Sequence, residues 1–189
     1  NYGQRTQDRE LKAFRDICAD LEILEKYEID IPFFTQIGAS ALTDKTIDVP
    51  TGGIEAGVPI TYVPFRNGIF LSITAAIAEK EGATAMYIGV VQEDSSGYPD
   101  CTDQFIQDIT KAINQGTKEE TKIEIITPLV HLTKAQIVEE AIKLNVPLEL
   151  TWSCYKEEEV ACGVCDSCRL RLNGFKIAGV KDPIPYKVL

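Results

Sequence analysis

Apolar side chains recur every three or four residues near the start of the sequence. One face of a helix would carry Leu11, Phe14, Ile17, Cys18 and Leu21. We therefore predict an amphipathic helix over residues 7–21. A short strand at 22–29 and a helical turn at 33–42 follow. Residues 43–60 contain two prolines and three glycines, which predicts a long loop, and loops of this length are often functional.

Apolar runs of strand length alternate with helical patterns in the middle of the chain. The run 85–91 is continuously apolar, as in a parallel sheet buried on both faces, and we predict a second strand at 122–129. Helices are predicted at 68–82, at 102–115 and after Thr133, whose spacing to Gln136 fits a capping box. This alternation indicates an α/β fold with a mainly parallel sheet and flanking helices.

Four of the six cysteines fall within a short charged stretch. Cys154, Cys162, Cys165 and Cys168 are separated by seven, two and two residues. The two Cys-x-x-Cys steps allow backbone N–H groups to turn toward the sulfurs. Gly163 eases the tight turn between Cys162 and Cys165. Four thiolates with no open position fit a structural zinc site.

Disulfides and an iron–sulfur cluster are the two alternatives to zinc. Disulfides suit small secreted scaffolds, which this chain does not resemble. An iron–sulfur cluster is the stronger alternative, but ferredoxin motifs continue with a further cysteine and a proline, whereas arginine and leucine follow Cys168 here. We therefore predict zinc, in a segment 151–189 that includes a last helix at 167–178, appended to an α/β domain at 1–150.

Composition and charge argue against nucleic acid and membranes as binding partners. The 189 residues are 44% hydrophobic and 25% charged, with a net charge of −10. Such an acidic chain is a poor general binder of nucleic acid or of anionic membranes. No apolar run approaches the roughly 18 residues of a membrane span, and we expect a cytoplasmic protein that acts on small molecules.

Three polar motifs lie at predicted strand ends. They read "NYGQR" at 1–5, "VPFRN" at 63–67 and "VVQEDSSGYPDC" at 90–101. Ligands of open α/β sheets bind beyond the carboxyl ends of the strands, so the motifs predict one small-molecule crevice. Each motif singly also has a structural explanation, because "SGYPD" could be a simple turn and Arg66 could pair with a surface carboxylate.

Together these motifs resemble a known family. "YGQR", "VPFRN", "SGYPDC", "TPL" followed by Lys134 and Ile137, the four spaced cysteines and "RLNG" at 171–174 are similar to 7-cyano-7-deazaguanine synthases of queuosine biosynthesis. The similarity extends from residue 2 to about residue 180. It implies a PP-loop ATP pyrophosphatase-like protein with a Rossmann-like sheet, related to the adenine nucleotide alpha hydrolases. It also implies a homodimer with zinc on the four cysteines.

The resemblance implies an ATP-dependent ligase, with magnesium, that joins ammonia to 7-carboxy-7-deazaguanine and yields the 7-cyano base. Catalysis would be mostly positioning and charge stabilisation. Arg66 and Lys134 are the candidate catalytic residues; Lys134 begins a helix, where the dipole favours a phosphate. The candidate substrate-binding residues are Gln4, Arg5, Asn67, Tyr98 and Asp100. We give no role to Cys101, which suits a small buried position, or to His131.

The sequence departs from the family pattern at three points. The phosphate-binding signature Ser-Gly-Gly-x-Asp-Ser, expected one βαβ unit before "YGQR", does not occur in these 189 residues. We therefore expect a cropped piece that does not turn over ATP alone, and we assign no cofactor-binding residues. Thr6 stands where histidine is usual, and Phe65 where glycine is common. A thiolase-like tRNA-modifying enzyme and a non-catalytic zinc-stabilised nucleotide-binding module remain the alternatives.

Overall fold

The computed structural model describes residues 1–53, 57–92 and 97–188. These residues form two compact units. The sheet unit comprises 57–58, 64–92 and 97–133, and the cysteine unit comprises 1–53, 59–63 and 134–188. The domain boundary that we predicted at residue 150 stays a prediction. Within the described ranges, no helix is long and apolar enough to cross a membrane.

The sheet unit is built on two parallel strands. β1 (Ala85–Tyr87) pairs with β2 (Glu124–Ile126) in the register Met86 to Ile125. Both strands are shorter than the predicted runs 85–91 and 122–129. β2 ends before Pro128, which has no N–H to donate. Beyond Tyr87, the described residues continue the pairing through only two hydrogen bonds, from Ile88 N–H to Ile126 O (3.1 Å) and from Gln92 N–H to Val130 O (2.9 Å).

Two helices pack on this sheet. α3 (Arg66–Glu81) begins two residues before the predicted start, and α4 (Asp103–Gly116) forms the crossover between the strands. Thr102 caps α4, because its hydroxyl accepts a hydrogen bond from Phe105 N–H at 3.2 Å. The shared core consists of Leu71, Ala75, Ala78, Met86, Val90, Cys101, Ile106, Ile123, Ile125 and Val130. The predicted α/β fold with a parallel sheet and flanking helices is confirmed.

The cysteine unit is mainly helical. Its helices are α1 (Gln7–Asp20), α2 (Phe33–Ile37), α5 (Lys134–Lys143) and α6 (Asp166–Ile177). The predictions for α1, α5 and α6 are confirmed to within one or two residues. α2 is shorter than the predicted turn because Gly38 leaves the helical region with a φ of 66°.

The strand predicted at 22–29 is wrong. Residues 23–31 do not form a strand. A strand requires a hydrogen-bonded neighbour along its length, and this segment has one only at its end. The segment is paired at its end, where Asn1 N–H donates to Ile29 O (2.8 Å) and Asn1 O accepts from Ile31 N–H (2.6 Å). The loop predicted at 43–60 is confirmed for its described residues; 54–56 lie outside them, as do 93–96 of the "EDSSGYPDC" loop.

Candidate functional site

Four cysteine thiols meet at one buried point of the cysteine unit. The sulfur atoms of Cys154, Cys162, Cys165 and Cys168 all lie within 4.8 Å of one another. None of the four residues is more than 5% exposed, and all are free thiols. The prediction that these side chains form one cluster is confirmed.

Tight backbone turns aim N–H groups at two of the sulfurs. Such dipoles favour the charged thiolate form. Their hydrogen bonds are 3.3–3.4 Å long, from Lys156, Glu157 and Cys162 to Cys154 Sγ and from Val164 and Cys165 to Cys162 Sγ. Gly163 makes the second turn possible, because it adopts a φ of 79° that side chains disfavour.

Hydrogen bonds between the thiols shift their pKa values in opposite directions. Hydrogen bonds from the thiols of Cys165 and Cys168 hold the pKa of Cys154 well below its usual range. The bond to Cys154 raises the pKa of Cys165 to about 11. Hydrogen bonds to Cys154 and Cys165 also raise the pKa of Cys168. A cation bound here would displace these protons, so its affinity would fall as the pH falls.

A single tetrahedral ion fits the spacing of the sulfurs. Zinc–thiolate bonds of about 2.3 Å place the sulfurs of a tetrahedron about 3.8 Å apart, and Cys162 Sγ lies 3.9 Å from Cys168 Sγ. An iron–sulfur cluster would interpose a larger inorganic core between the thiolates. The cluster therefore fits a structural metal such as zinc, held by these four cysteines.

An apolar shell encloses the cysteines and keeps water from the cluster. It consists of Ala41, Val49, Ala161 and Ile184, with Ile47, Trp152, Tyr155, Val164 and Tyr186 packed against them. Arg169, one residue after the last cysteine, donates to Val164 O at 2.8 Å and to Thr51 O at 2.7 Å. α6 thus fastens both the cysteine loop and the long loop that contains Thr51.

A buried ion pair joins α6 to the residues that follow it. Arg171 Nε and Nη2 donate to the two carboxylate oxygens of Asp182 at 2.7 and 2.9 Å, and their side chains are 11% and 3% exposed. The Tyr186 hydroxyl donates to the same carboxylate at 2.7 Å. Burial, and then this hydrogen bond, raise the pKa of Tyr186 far above its usual value. Sequence reasoning missed this network, because its partners are ordinary surface residue types.

Gln4 takes part in a hydrogen-bonded network at the start of α1. Its side-chain oxygen accepts from Tyr2 N–H at 3.1 Å, and its amide donates to Glu10 at 3.1 Å. The Thr6 hydroxyl donates to the other oxygen of Glu10 at 2.7 Å and is buried. Thr6, where the resemblance leads us to expect histidine, therefore completes an internal network. The substrate-binding role of Gln4 stays a prediction.

Arg5 holds the long loop of the cysteine unit in place. Its Nε donates to Ala41 O at 2.6 Å, and its Nη2 donates to Asp44 O at 2.9 Å and Ile47 O at 2.5 Å. Its backbone N–H also donates to Leu42 O at 3.0 Å. The guanidinium is therefore engaged in shaping the loop, and its proposed contact with substrate stays a prediction.

Lys134 is the first residue of α5, where the helix dipole favours an anion. Its backbone is pressed against α6. A Cβ atom at Gly174 would lie 2.8 Å from Lys134 Cβ and 3.1 Å from its carbonyl carbon and oxygen. The glycine of the "RLNG" motif thus permits α5 and α6 to approach closely, and this contact sets the position of Lys134.

Asn67 and Asp100, 33 residues apart, are brought together in the sheet unit. Asp100 Oδ2 accepts from Asn67 N–H at 2.9 Å, and the Asn67 amide donates to Asp100 O at 3.3 Å and to Cys101 Sγ at 3.2 Å. Both Asn67 and Asp100 are buried. Asp100 therefore acts as a remote cap on the N-terminus of α3, a role that sequence spacing could not reveal.

Phe65 adopts a left-handed backbone conformation just before Arg66. Its φ of 54° and ψ of 26° explain why glycine is favourable at this position of the motif. Its ring makes an edge-on contact with Phe105 at 5.8 Å between centroids and covers Gly68. The Arg66 guanidinium lies 5.9 Å from the centroid of the Phe70 ring.

The seven predicted catalytic and substrate-binding residues are divided between the two units. Gln4, Arg5 and Lys134 belong to the cysteine unit, and Arg66, Asn67, Tyr98 and Asp100 belong to the sheet unit. Within the sheet unit, Arg66 and Asn67 begin α3. Tyr98 precedes the 3₁₀ turn Pro99–Cys101, Asp100 lies within it, and this turn contacts α3. Their roles toward substrate stay predictions.

The fold and the cysteine cluster define an α/β protein with four buried thiols that fit a structural metal ion. The family model described as "Queuosine biosynthesis protein QueC" matches residues 1–179. The 7-cyano-7-deazaguanine synthase of Aliarcobacter butzleri is 88% identical over 99% of this chain and 82% of its own length. Those of Nautilia profundicola and a Sulfurovum species are 71% and 70% identical, each over 99% of this chain and 84% of their own length. The chain belongs to the QueC family.

Proposed function

We propose that this protein is an ATP-dependent 7-cyano-7-deazaguanine synthase of queuosine biosynthesis. The observation that carries the proposal is the identity of 88% to a synthase of that name over 99% of the chain. The proposed substrates are 7-carboxy-7-deazaguanine, ammonia and ATP with magnesium. We further propose that the protein acts in the cytoplasm as a homodimer, on small molecules rather than on nucleic acid or membranes.

The proposed chemistry is that of a ligase that forms carbon–nitrogen bonds. A carboxylate is a poor electrophile, so ATP first converts it to an acyl adenylate, and ammonia displaces AMP to give an amide. Because a nitrile keeps neither oxygen of the carboxylate, we propose that a second ATP activates the amide oxygen, which leaves as part of AMP while the nitrogen loses its two protons. The protein's contribution is to position the reactants and to stabilise the negative charge that develops.

The contacts within each unit suggest how the motif residues divide this work. Arg5, Asn67 and Asp100 direct polar atoms at the protein's own backbone or at one another. We propose that each of them shapes the framework of its own unit rather than contacting substrate. Arg66 and Lys134 begin helices α3 and α5 and have basic side chains. We propose that these two contact the negative charge of the nucleotide and of the activated carboxylate.

The test is a product assay on protein expressed from the complete reading frame. With the 7-carboxy base, ATP and ¹⁵N-ammonium, mass spectrometry should detect a nitrile labelled with one nitrogen, and omission of ATP should abolish it. Thiolated tRNA would instead indicate a tRNA-modifying enzyme. Turnover of none of these substrates by folded, metal-loaded protein would indicate a binding module.

The role of Arg66 is tested by Arg66→Ala. A charge aimed at developing negative charge in a dry site contributes about 3 kcal/mol, or roughly 100-fold in rate. We therefore expect kcat/KM to fall about 100-fold while the melting temperature changes little. The matched control is Arg15→Ala, which removes an exposed arginine paired with Glu28 and should leave kcat/KM unchanged. Full activity of Arg66→Ala would exclude Arg66 from the site.

A further inference from the structure

Residues 182–188, here called the latch, cover one side of the cysteine cluster. The latch forms a parallel bridge between Tyr186 and Ala161. Ala161 N–H donates to Pro185 O at 3.0 Å, and Lys187 N–H donates to Ala161 O at 2.8 Å. Its backbone lies directly on Gly163, where an added Cβ would be 1.8 Å from Val188 O. Both contacts flank Cys162.

A metal on the four cysteines could not reach solvent while this cover is closed. Cys165 and Cys168 are at most 1% exposed, and Ile184 of the latch is buried in the same apolar cluster. Exchange of a buried ion therefore requires a local opening of the shell, and the opening with the lowest free energy carries most of the exchange.

Two segments of the shell could open, the loop at 41–49 and the latch, and different residues hold each of them in place. The loop at 41–49 is held by three hydrogen bonds from the Arg5 guanidinium and by Ala41 N–H to Ile60 O at 2.8 Å. The latch has two backbone hydrogen bonds to the cysteine loop. Its side-chain attachments are the exposed ion pair of Lys187 with Glu157 at 2.7 Å, which contributes little, and the buried Asp182. Loss of this one carboxylate would therefore leave the latch weakly held.

Asp182 connects the latch to the helix that carries a metal ligand. Its carboxylate accepts from Arg171 at 2.7 and 2.9 Å and from the Tyr186 hydroxyl at 2.7 Å. Arg171 lies one turn after Cys168 on α6. Opening the latch at Asp182 would leave a buried charge without its partner, which is costly. Because of this ion pair, we expect the latch to open as a whole rather than residue by residue.

We propose that residues 182–188 form a gate that controls metal exchange at the cysteine centre, with Asp182 as its clasp. The latch sets the rate at which metal enters and leaves, while the four thiolates set the affinity. The proposal rests on the fit of the cysteine cluster to a metal ion and is independent of the reaction that the protein catalyses.

The test measures zinc transfer from the zinc-loaded protein to a chromogenic chelator in excess. Tyr186→Phe removes one hydrogen bond of the clasp and should speed transfer several-fold. Asp182→Asn weakens all three and should speed it more than about tenfold. The control is Lys143→Ala, which removes an exposed ion pair with Glu140 on α5 and should leave the rate within twofold of the parent.

A second readout follows the latch itself. The amide protons of Ala161 and Lys187, which close the bridge, should exchange with solvent faster in both clasp variants while zinc remains bound. Faster amide exchange with an unchanged zinc-transfer rate would overturn the proposal. So would faster transfer in Arg5→Lys but in neither clasp variant, because the gate would then be the loop at 41–49. If Asp182→Asn does not fold, the zinc-transfer rate and the amide exchange of Tyr186→Phe alone test whether the latch is the gate.

Discussion

The capping of α3 by Asp100 yields a prediction that separates a structural role from a substrate-binding one. Asp100 is 4% exposed, and its Oδ2 accepts from Asn67 N–H at 2.9 Å. Asp100→Ala removes a hydrogen bond to a charged group, worth about 1.5–3 kcal/mol. It also removes a carboxylate from a helix N-terminus, worth about 0.3–1 kcal/mol. We therefore expect the free energy of unfolding to fall by about 2–4 kcal/mol.

Asp100→Asn is the informative comparison. The asparagine oxygen can still accept from Asn67 N–H, so only the charge-dependent part is lost. We expect this variant to lose about 1 kcal/mol. The control is Asp108→Ala on α4, which removes an exposed aspartate paired with Lys111 and should change the free energy of unfolding by less than about 0.5 kcal/mol.

Urea unfolding followed by far-ultraviolet circular dichroism measures these differences. A shift in midpoint at constant slope reports a change in stability. Equal losses for Asp100→Asn and Asp100→Ala would refute the capping role, because the retained acceptor would then have no effect. If Asp100 also binds the base, Asp100→Asn should raise the KM for the base although its stability is nearly preserved.

Three further predictions concern the metal centre, the α5–α6 contact and Phe65. Cys165→Ser should lose the metal and lower the melting temperature, because metal binding contributes folding free energy; elemental analysis that finds an unchanged zinc content would contradict this. Gly174→Ala should cost about 1–3 kcal/mol, since its Cβ would meet Lys134. Gly116→Ala, with open space around it, should cost nothing. Phe65→Gly should be more stable than Phe65→Ala by about 1 kcal/mol, because both remove the ring and only glycine is unstrained at a φ of 54°; equal urea midpoints would contradict it.

The parts of the fold that depend on local sequence were predictable. The apolar spacing of residues 7–21 predicted α1, and the spacing of the four cysteines predicted that their thiols meet, because both patterns repeat over a few residues. The strands were predicted in type and order but not in length. The extent of a strand depends on whether another strand pairs with it, and the strand predicted at 22–29 is wrong because it has no such partner. It also depends on backbone N–H donors, and Pro128 has none.

Contacts between distant residues could not be predicted from the sequence. Asn67 reaches Asp100 and Cys101, and Arg171 reaches Asp182, only because the fold brings separate elements together. No spacing rule links such residues. The motifs mark some of these residues as noteworthy, but they do not show which residues bind one another.

Motif residues that resemble a binding site need not all touch a ligand. Arg5 and Asn67 belong to motifs that the sequence predicts to face a crevice at strand ends and that resemble those of a known family. In the structure, the polar atoms of Arg5 hold a loop, and those of Asn67 bind Asp100 and Cys101. Replacing either residue would disturb the framework first. A loss of activity at these positions therefore indicates substrate contact only if the unfolding free energy of the same variant is preserved.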